Sequence, residues 1–199
     1  GRVSINLSLK QLQQASFITR FASVFREYGV QPRCLELEIT ETTLMSNAPR
    51  TVRMLGELHD LGISLSIDDF GTGYSSLSAL QQLPVETLKI DQSFVRNAAI
   101  DAQDATLVRT IIEMGRNLEM QVVAEGVETV EQLEFLRVRG CHYAQGRLFG
   151  EPLSAQALLE LLATRWRSGR PQRCPSAPKR TRSRPRTGRS RANACCWGT

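Results

Sequence analysis

Ile67-Asp68-Asp69-Phe70-Gly71-Thr72-Gly73-Tyr74-Ser75-Ser76-Leu77 ends an alternating strand in two adjacent carboxylates and a glycine-rich turn. Upstream, Ile63, Leu65 and Ile67 oppose Ser64, Ser66 and Asp68, the period of a β-strand. Five other short apolar runs end in the same way. Asn6 closes VSINLS, Glu38 closes LELEIT, Lys89 and Asp91 close LKID, Glu125 closes VVAEG, and Gln145 lies in YAQGRLF. Functional side chains at one end of successive parallel strands are how a β/α barrel assembles a site. Carboxylates beside one lysine and two amides suit hard cations and phosphate esters.

Helix signals alternate with these strands. Leu12 to Tyr28 reads as a helix stopped by Gly29, and Asn47 with Pro49 caps and opens another that runs to Leu61 before Gly62. Ser75 to Leu83 is a short helix ended by Pro84. Leu107, Ile111, Met114 and Leu118 form the apolar stripe of a fourth. Thr129 and Gln132 make a capping-box pattern, and Ser154 caps a last helix that fades at Trp166. Repeated strand–helix units predict a parallel sheet with right-handed crossovers. Parallel strands covered on both faces usually read as continuous apolar runs, yet Leu35, Leu37 and Ile39 alternate with Glu36, Glu38 and Thr40. A barrel with a polar lumen resolves this better than an open sheet. The expected fold class is therefore α/β, a TIM-type β/α barrel. Six strands are counted where eight make a barrel. The missing pair is expected before Gly1, so the chain reads as an incomplete barrel.

The net charge of +5 is unevenly spread. Residues 165–199 hold eleven Lys/Arg and no acid, leaving 14 basic and 20 acidic residues in 1–164. The Arg/Pro/Ser-rich tail has too few aliphatic residues to offset the entropy of ordering and is expected to be disordered. It reads either as an anion-binding arm or as an incidental extension. With no aromatics interleaved among the arginines from Ser168 onward, no specific nucleic-acid partner is expected. Five cysteines without CxxC spacing imply neither a metal nor a disulfide framework. Cys34 and Cys141 read as small core residues, with Cys174, Cys195 and Cys196 in the tail. His59 and His142 read as ordinary helix-end and strand-edge residues. With no signal peptide and no apolar run long enough to span a bilayer, the expected location is cytoplasmic.

INLS, LELEITE, IDDFGTGYSSL, LKIDQSFV, VVAEGVET and AQGRLFGEPL resemble, in order and spacing, the EAL-domain family of cyclic-di-GMP phosphodiesterases. The resemblance covers residues 1–164. It implies hydrolysis of cyclic di-GMP to linear pGpG with two divalent cations, Mg²⁺ or Mn²⁺. By the same resemblance, Asn6, Glu38 and Asp68 hold the first ion, and Asp68 is shared with a second that Asp69 and Glu125 complete. Lys89 matches the lysine beside the attacking water, with Asp91 in the same motif, and Gln145 positions water or phosphate. Glu41 matches the glutamate that steadies the loop Gly71–Ser76, and Glu128 supports the site from outside it. The family also implies a homodimer through the loop after Asp69. Independently of the family, neighbouring aspartates can serve two ions ~3.5–4 Å apart, and Gly71 and Gly73 allow a tight turn near phosphate.

Each residue also has a plainer reading: Asp68-Asp69 as a strand-end turn, Glu38 as a solvated strand residue, Lys89 with Asp91 as a structural ion pair, Asn6 as a backbone cap. Two departures from the family pattern matter. The Glu-Ala-Leu triplet does not occur in the chain. Arg147 and Glu151 stand where a tyrosine and an arginine are usual. The alternative expectation is thus a catalytically impaired module that binds cyclic di-GMP or another protein.

Overall fold

The structure is a computed structural model that describes residues 2–45, 48–73 and 77–168. The expectations for Asn47, for the loop residues 74–76 and for the tail cysteines and tail disorder beyond Ser168 lie outside the described residues. Six parallel strands pair in sequential order: β1 (Val3–Asn6), β2 (Leu35–Thr40), β3 (Ser64–Phe70), β4 (Thr87–Ile90), β5 (Gln121–Ala124) and β6 (Tyr143–Ala144). This is the wall of a β/α barrel, open between β6 and β1. The compact unit that holds the sheet ends at Phe149, and a second unit begins at Gly150.

The helices of the first unit are α1 (Leu9–Leu12), α2 (Phe17–Tyr28), α3 (Glu41–Met45), α4 (Ala48–Asp60), α5 (Leu77–Leu80), α6 (Gln92–Asn97), α7 (Ala102–Asn117) and α8 (Val130–Val138). The second unit holds α9 (Ala155–Ser168). Ser154 Oγ accepts from Ala157 N–H at its start, as expected, and the helix runs two residues past Trp166. Thr129 and Gln132 form the expected reciprocal cap on α8. Gly29 ends α2 in the left-handed conformation, φ 64°, which costs a glycine nothing.

Several boundaries differ from expectation. The helix expected from Leu12 begins at Phe17, because Ser8 and Gln11 make a second capping box that spends Leu12 on the short α1. The helix expected from Ser75 to Leu83 is described only over Leu77–Leu80. Cys34, expected in the core, is exposed, since it lies on the short 3-10 turn Pro32–Cys34 that precedes β2. Cys141 is buried as expected, its thiol directed to the carbonyl of Tyr143 at 3.3 Å, and burial pushes its pKa up to about 12.

The core lies between sheet and helices. Leu37, Ile39, Leu65, Ile67, Leu88 and Ile90 are buried on the outer face of the strands. Their partners Glu38, Ser66, Thr87 and Lys89 are on the other face, so the alternation does reflect a polar lumen. The pattern weakens at β1, where Val3 is 64% and Ile5 45% exposed. A covering helix sits over the groove between two neighbouring strands, and β1 has a neighbour on one side only. On α7 the fully buried stripe is Val108, Ile111, Ile112 and Gly115, with Leu107, Met114 and Leu118 at its margins.

Gly115 packs α7 tightly on β5: a Cβ there would run into the side chain of Val122. Gly115→Ala should therefore cost roughly 1–3 kcal/mol by overpacking. That outweighs the ~1 kcal/mol alanine gains in helix propensity. A urea denaturation midpoint equal to or above wild type would contradict this packing.

Candidate metal centre

The C-terminal ends of the strands converge through register. Asn6 lies beside Glu38, and Thr40 beside Asp68. Lys89 lies beside Val123, and Ala124, next to Glu125, pairs with Ala144, next to Gln145. On a regular strand, Asp68 and Asp69 would point to opposite faces. Between β3 and β4 the register slips. Ile67 pairs with Leu88 and Phe70 with Ile90, so three steps on β3 match two on β4. This one-residue bulge is built on Asp69, which has φ 51°, a backbone conformation few non-glycine residues adopt. Carboxylate oxygens of Asp68, Asp69 and Glu125 thereby lie within 4.8 Å of one another.

Lys89 binds this group together. Its ammonium reaches Glu38 Oε1 at 2.7 Å, Asp68 Oδ1 at 3.5 Å and Glu125 Oε1 in a still closer contact. The residue is only 5% exposed and Glu38 only 9%. Burial alone would push the lysine pKa down, but the bonds to Glu125 and Glu38 hold it above the ordinary value. Burial raises the pKa of Glu125 against the pull of Lys89. Burial, then the charge of Asp68, and a hydrogen bond with Asp91 raise that of Asp69.

Asp91 does not pair with Lys89 among the described residues. It caps α6, accepting from Ser93 N–H at 2.8 Å and from the Ser93 hydroxyl, and these bonds lower its pKa despite partial burial. Glu41, buried at the start of α3, accepts from the N–H groups of Gly71 and Gly73, each at 3.1 Å. Gly71 has φ 102°, and a Cβ on Gly73 would lie 2.9 Å from the Glu41 carboxyl carbon. Glu128 Oε1 faces Arg147 Nη1 at 3.8 Å. Asn6 and Gln145 are exposed at their strand ends. The lumen holds a cavity of about 540 Å³ whose wall includes Glu38, Lys89, Tyr143 and Gln145.

Asp68 Oδ1 is buried and accepts no hydrogen bond among the described residues. An orphaned carboxylate oxygen facing two further carboxylates fits a hard divalent cation, which takes oxygen ligands. Asp68, Asp69 and Glu125 could hold such an ion, with Glu38 in reach through the shared lysine. Sequence reasoning missed the bulge and the cap made by Asp91. The second had a signal, an aspartate two residues before a serine at a helix start.

Two outcomes follow from this geometry. Glu41→Gln keeps the side chain's size but weakens acceptance of two amides. It should cost roughly 1–3 kcal/mol and speed hydrogen exchange at Gly71 and Gly73, and unchanged exchange would exclude the clamp. Because the carboxyls of Asp69 and Glu125 titrate above the usual carboxylate range, a divalent ion binding at a pH within that raised range displaces protons from them. Mn²⁺ affinity should rise as pH increases through those raised values. Calorimetry in buffers of different ionisation enthalpy should detect released protons, and buffer-independent heats would refute the coupling.

An EAL domain family model matches residues 1–152. The chain is 45% identical over 161 residues to the cyclic di-GMP phosphodiesterase NbdA of Pseudomonas aeruginosa, which covers 81% of this chain and 21% of that protein. It is similar to the solved structure of a MucR phosphodiesterase in complex with c-di-GMP, at TM-score 0.76 and 42% identity over 79% of this chain and 64% of that one. It is also similar to Klebsiella pneumoniae BlrP1 in a manganese and cyclic-di-GMP complex, at TM-score 0.70 and 31% identity over 76% of this chain and 39% of that one. The chain spans about a fifth of the curated relative's length. The ordered strand-end motifs, the parallel wall and the carboxylate–lysine cluster agree with these likenesses: the chain belongs to the EAL domain family.

Proposed function

We propose that this chain carries the metal- and phosphodiester-binding site of a cyclic-di-GMP phosphodiesterase, a hydrolase that adds one water across one P–O ester bond to give linear pGpG. The observation that carries this reading is the convergence of Asp68, Asp69 and Glu125 around a buried Lys89 at the strand ends. Two divalent ions, Mg²⁺ or Mn²⁺, would supply Lewis-acid stabilisation of the charge that develops on the phosphodiester. Asn6, Glu38 and Asp68 would hold one ion, with Asp68, Asp69 and Glu125 holding the other. The chain's own part is then electrostatic and positional. Lys89 orients a water and balances carboxylate charge, Gln145 faces the phosphate from β6, and Glu41 sets the backbone of Gly71 and Gly73. Asp91 fixes the start of α6 beside Asp69, and Glu128 braces the mouth through Arg147. Residues 1–164 act as the catalytic domain and 165–199 as an appended tail, in the cytoplasm where a bacterial second messenger is read. Two copies would pair through the loop after Asp69.

A second reading has its own support, Arg147 and Glu151 standing where a tyrosine and an arginine are usual in the family. On that reading the chain is an impaired module that binds cyclic di-GMP or another protein. Losing even an outer partner of a metal site costs about 10–100-fold in affinity or activity.

Incubating the purified chain with Mn²⁺ and cyclic di-GMP, with pGpG followed by chromatography, separates the two. Cleavage is expected to require the ion and to fall at least about 100-fold in Asp68→Asn. Binding of the dinucleotide in EDTA without cleavage in Mn²⁺ would replace the enzyme by the receptor.

A further inference from the structure

We infer that Lys89 is a tethered counter-cation that competes with the divalent ion, so that the ion enters by displacing its ammonium from Asp68 and Glu125. This rests on the reading of the carboxylate cluster as a divalent-ion site. An ammonium has three donors, and here three carboxylates from three different strand ends converge on one. Two of these contacts are close, to Glu38 and Glu125. The third, to Asp68 Oδ1 at 3.5 Å, is too long for a good hydrogen bond and leaves that buried oxygen unsatisfied. The arrangement is thus stable without being saturated.

Four carboxylates held this close would repel one another strongly without a cation. A buried charge robbed of its partner is costly. Lys89 supplies one positive charge from within the chain, enough to keep the metal-free strand ends together but not to neutralise them. Two of the carboxylates it touches, Asp68 and Glu125, also belong to the set whose oxygens lie within 4.8 Å. The negative charge of a carboxylate already drawn to an ammonium is less available to a second cation. The lysine therefore trades divalent-ion affinity for stability of the metal-free fold. A residue that only positioned water would leave ion affinity unchanged when removed, and one that helped assemble the ion site would weaken it. A competitor does the opposite.

The test is calorimetric titration of Mn²⁺ into the wild-type chain and Lys89→Met, with thermal unfolding of both in EDTA and in Mn²⁺. Removing the competing charge should tighten Mn²⁺ binding about tenfold or more. The variant should melt below wild type in EDTA, and Mn²⁺ should raise its melting temperature by more than it raises that of wild type. Should Lys89→Met fail to fold without metal, Lys89→Gln is neutral yet can still hydrogen-bond, and the same tightening is expected of it. Mn²⁺ binding by both proteins, no tighter in the variants, overturns the competition and leaves the metal site standing. No Mn²⁺ binding by any of them overturns the metal site and the competition together.

Discussion

One extra residue in β3 is the constraint on which the site depends. Strand geometry sends neighbouring side chains to opposite faces, so an Asp-Asp pair would ordinarily place one carboxylate in the lumen and the other in the apolar layer under the helices. The bulge at Asp69 removes that conflict by taking a left-handed backbone angle and shifting the register with β4 by one. Ile67 and Phe70 still pack outward into the core on either side of it. Backbone strain at a single residue thus lets two adjacent acids share one mouth. A non-glycine residue in such a conformation persists only where its surroundings hold it. Here the Thr72 hydroxyl, which donates to the Asp69 carbonyl at 2.8 Å, and the loop held by Glu41 supply that hold.

Bringing acids together creates an electrostatic cost that the fold meets locally. Lys89 comes from the next strand, at the layer where Glu38 and Asp68 approach from β2 and β3 and Glu125 from the end of β5. Its ammonium meets all three of these carboxylates. The cap on α6 and the clamp on the Gly71–Gly73 backbone both use carboxylates to satisfy N–H groups. Of the acidic side chains at the strand ends, some are thus fully engaged as structural acceptors, while Asp68, Asp69 and Glu125 keep oxygens directed toward one another. That division separates scaffold acids from candidate ligands, and motif membership alone does not make it.

Much of this was legible before any coordinates. The six strands, their parallel order and the polar face of the lumen followed from period-two alternation broken by helix signals, and the Thr129–Gln132 cap from a local pattern. Other features were not. The break between Leu12 and Phe17 follows from the capping box of Ser8 and Gln11, which a single apolar stripe does not reveal. Cys34 looked like core because it adjoins Leu35, but a turn of 3-10 helix faces it outward. Val3 and Ile5 carry the same pattern as Leu37 and Ile39 yet remain exposed on the edge strand β1.

Local sequence by itself determined the element types, the side of each strand that is polar, and which residues stand at the strand ends. Those properties depend on backbone period, capping and composition, and all of them act over a few residues. Only the tertiary structure decided which of those residues meet. The contact of Lys89 with Glu38 and Glu125 and the sharing of one mouth by Asp68 and Asp69 depend on inter-strand register. Register is set by the summed packing of segments far apart in the chain, and one slipped residue redirects every side chain beyond it.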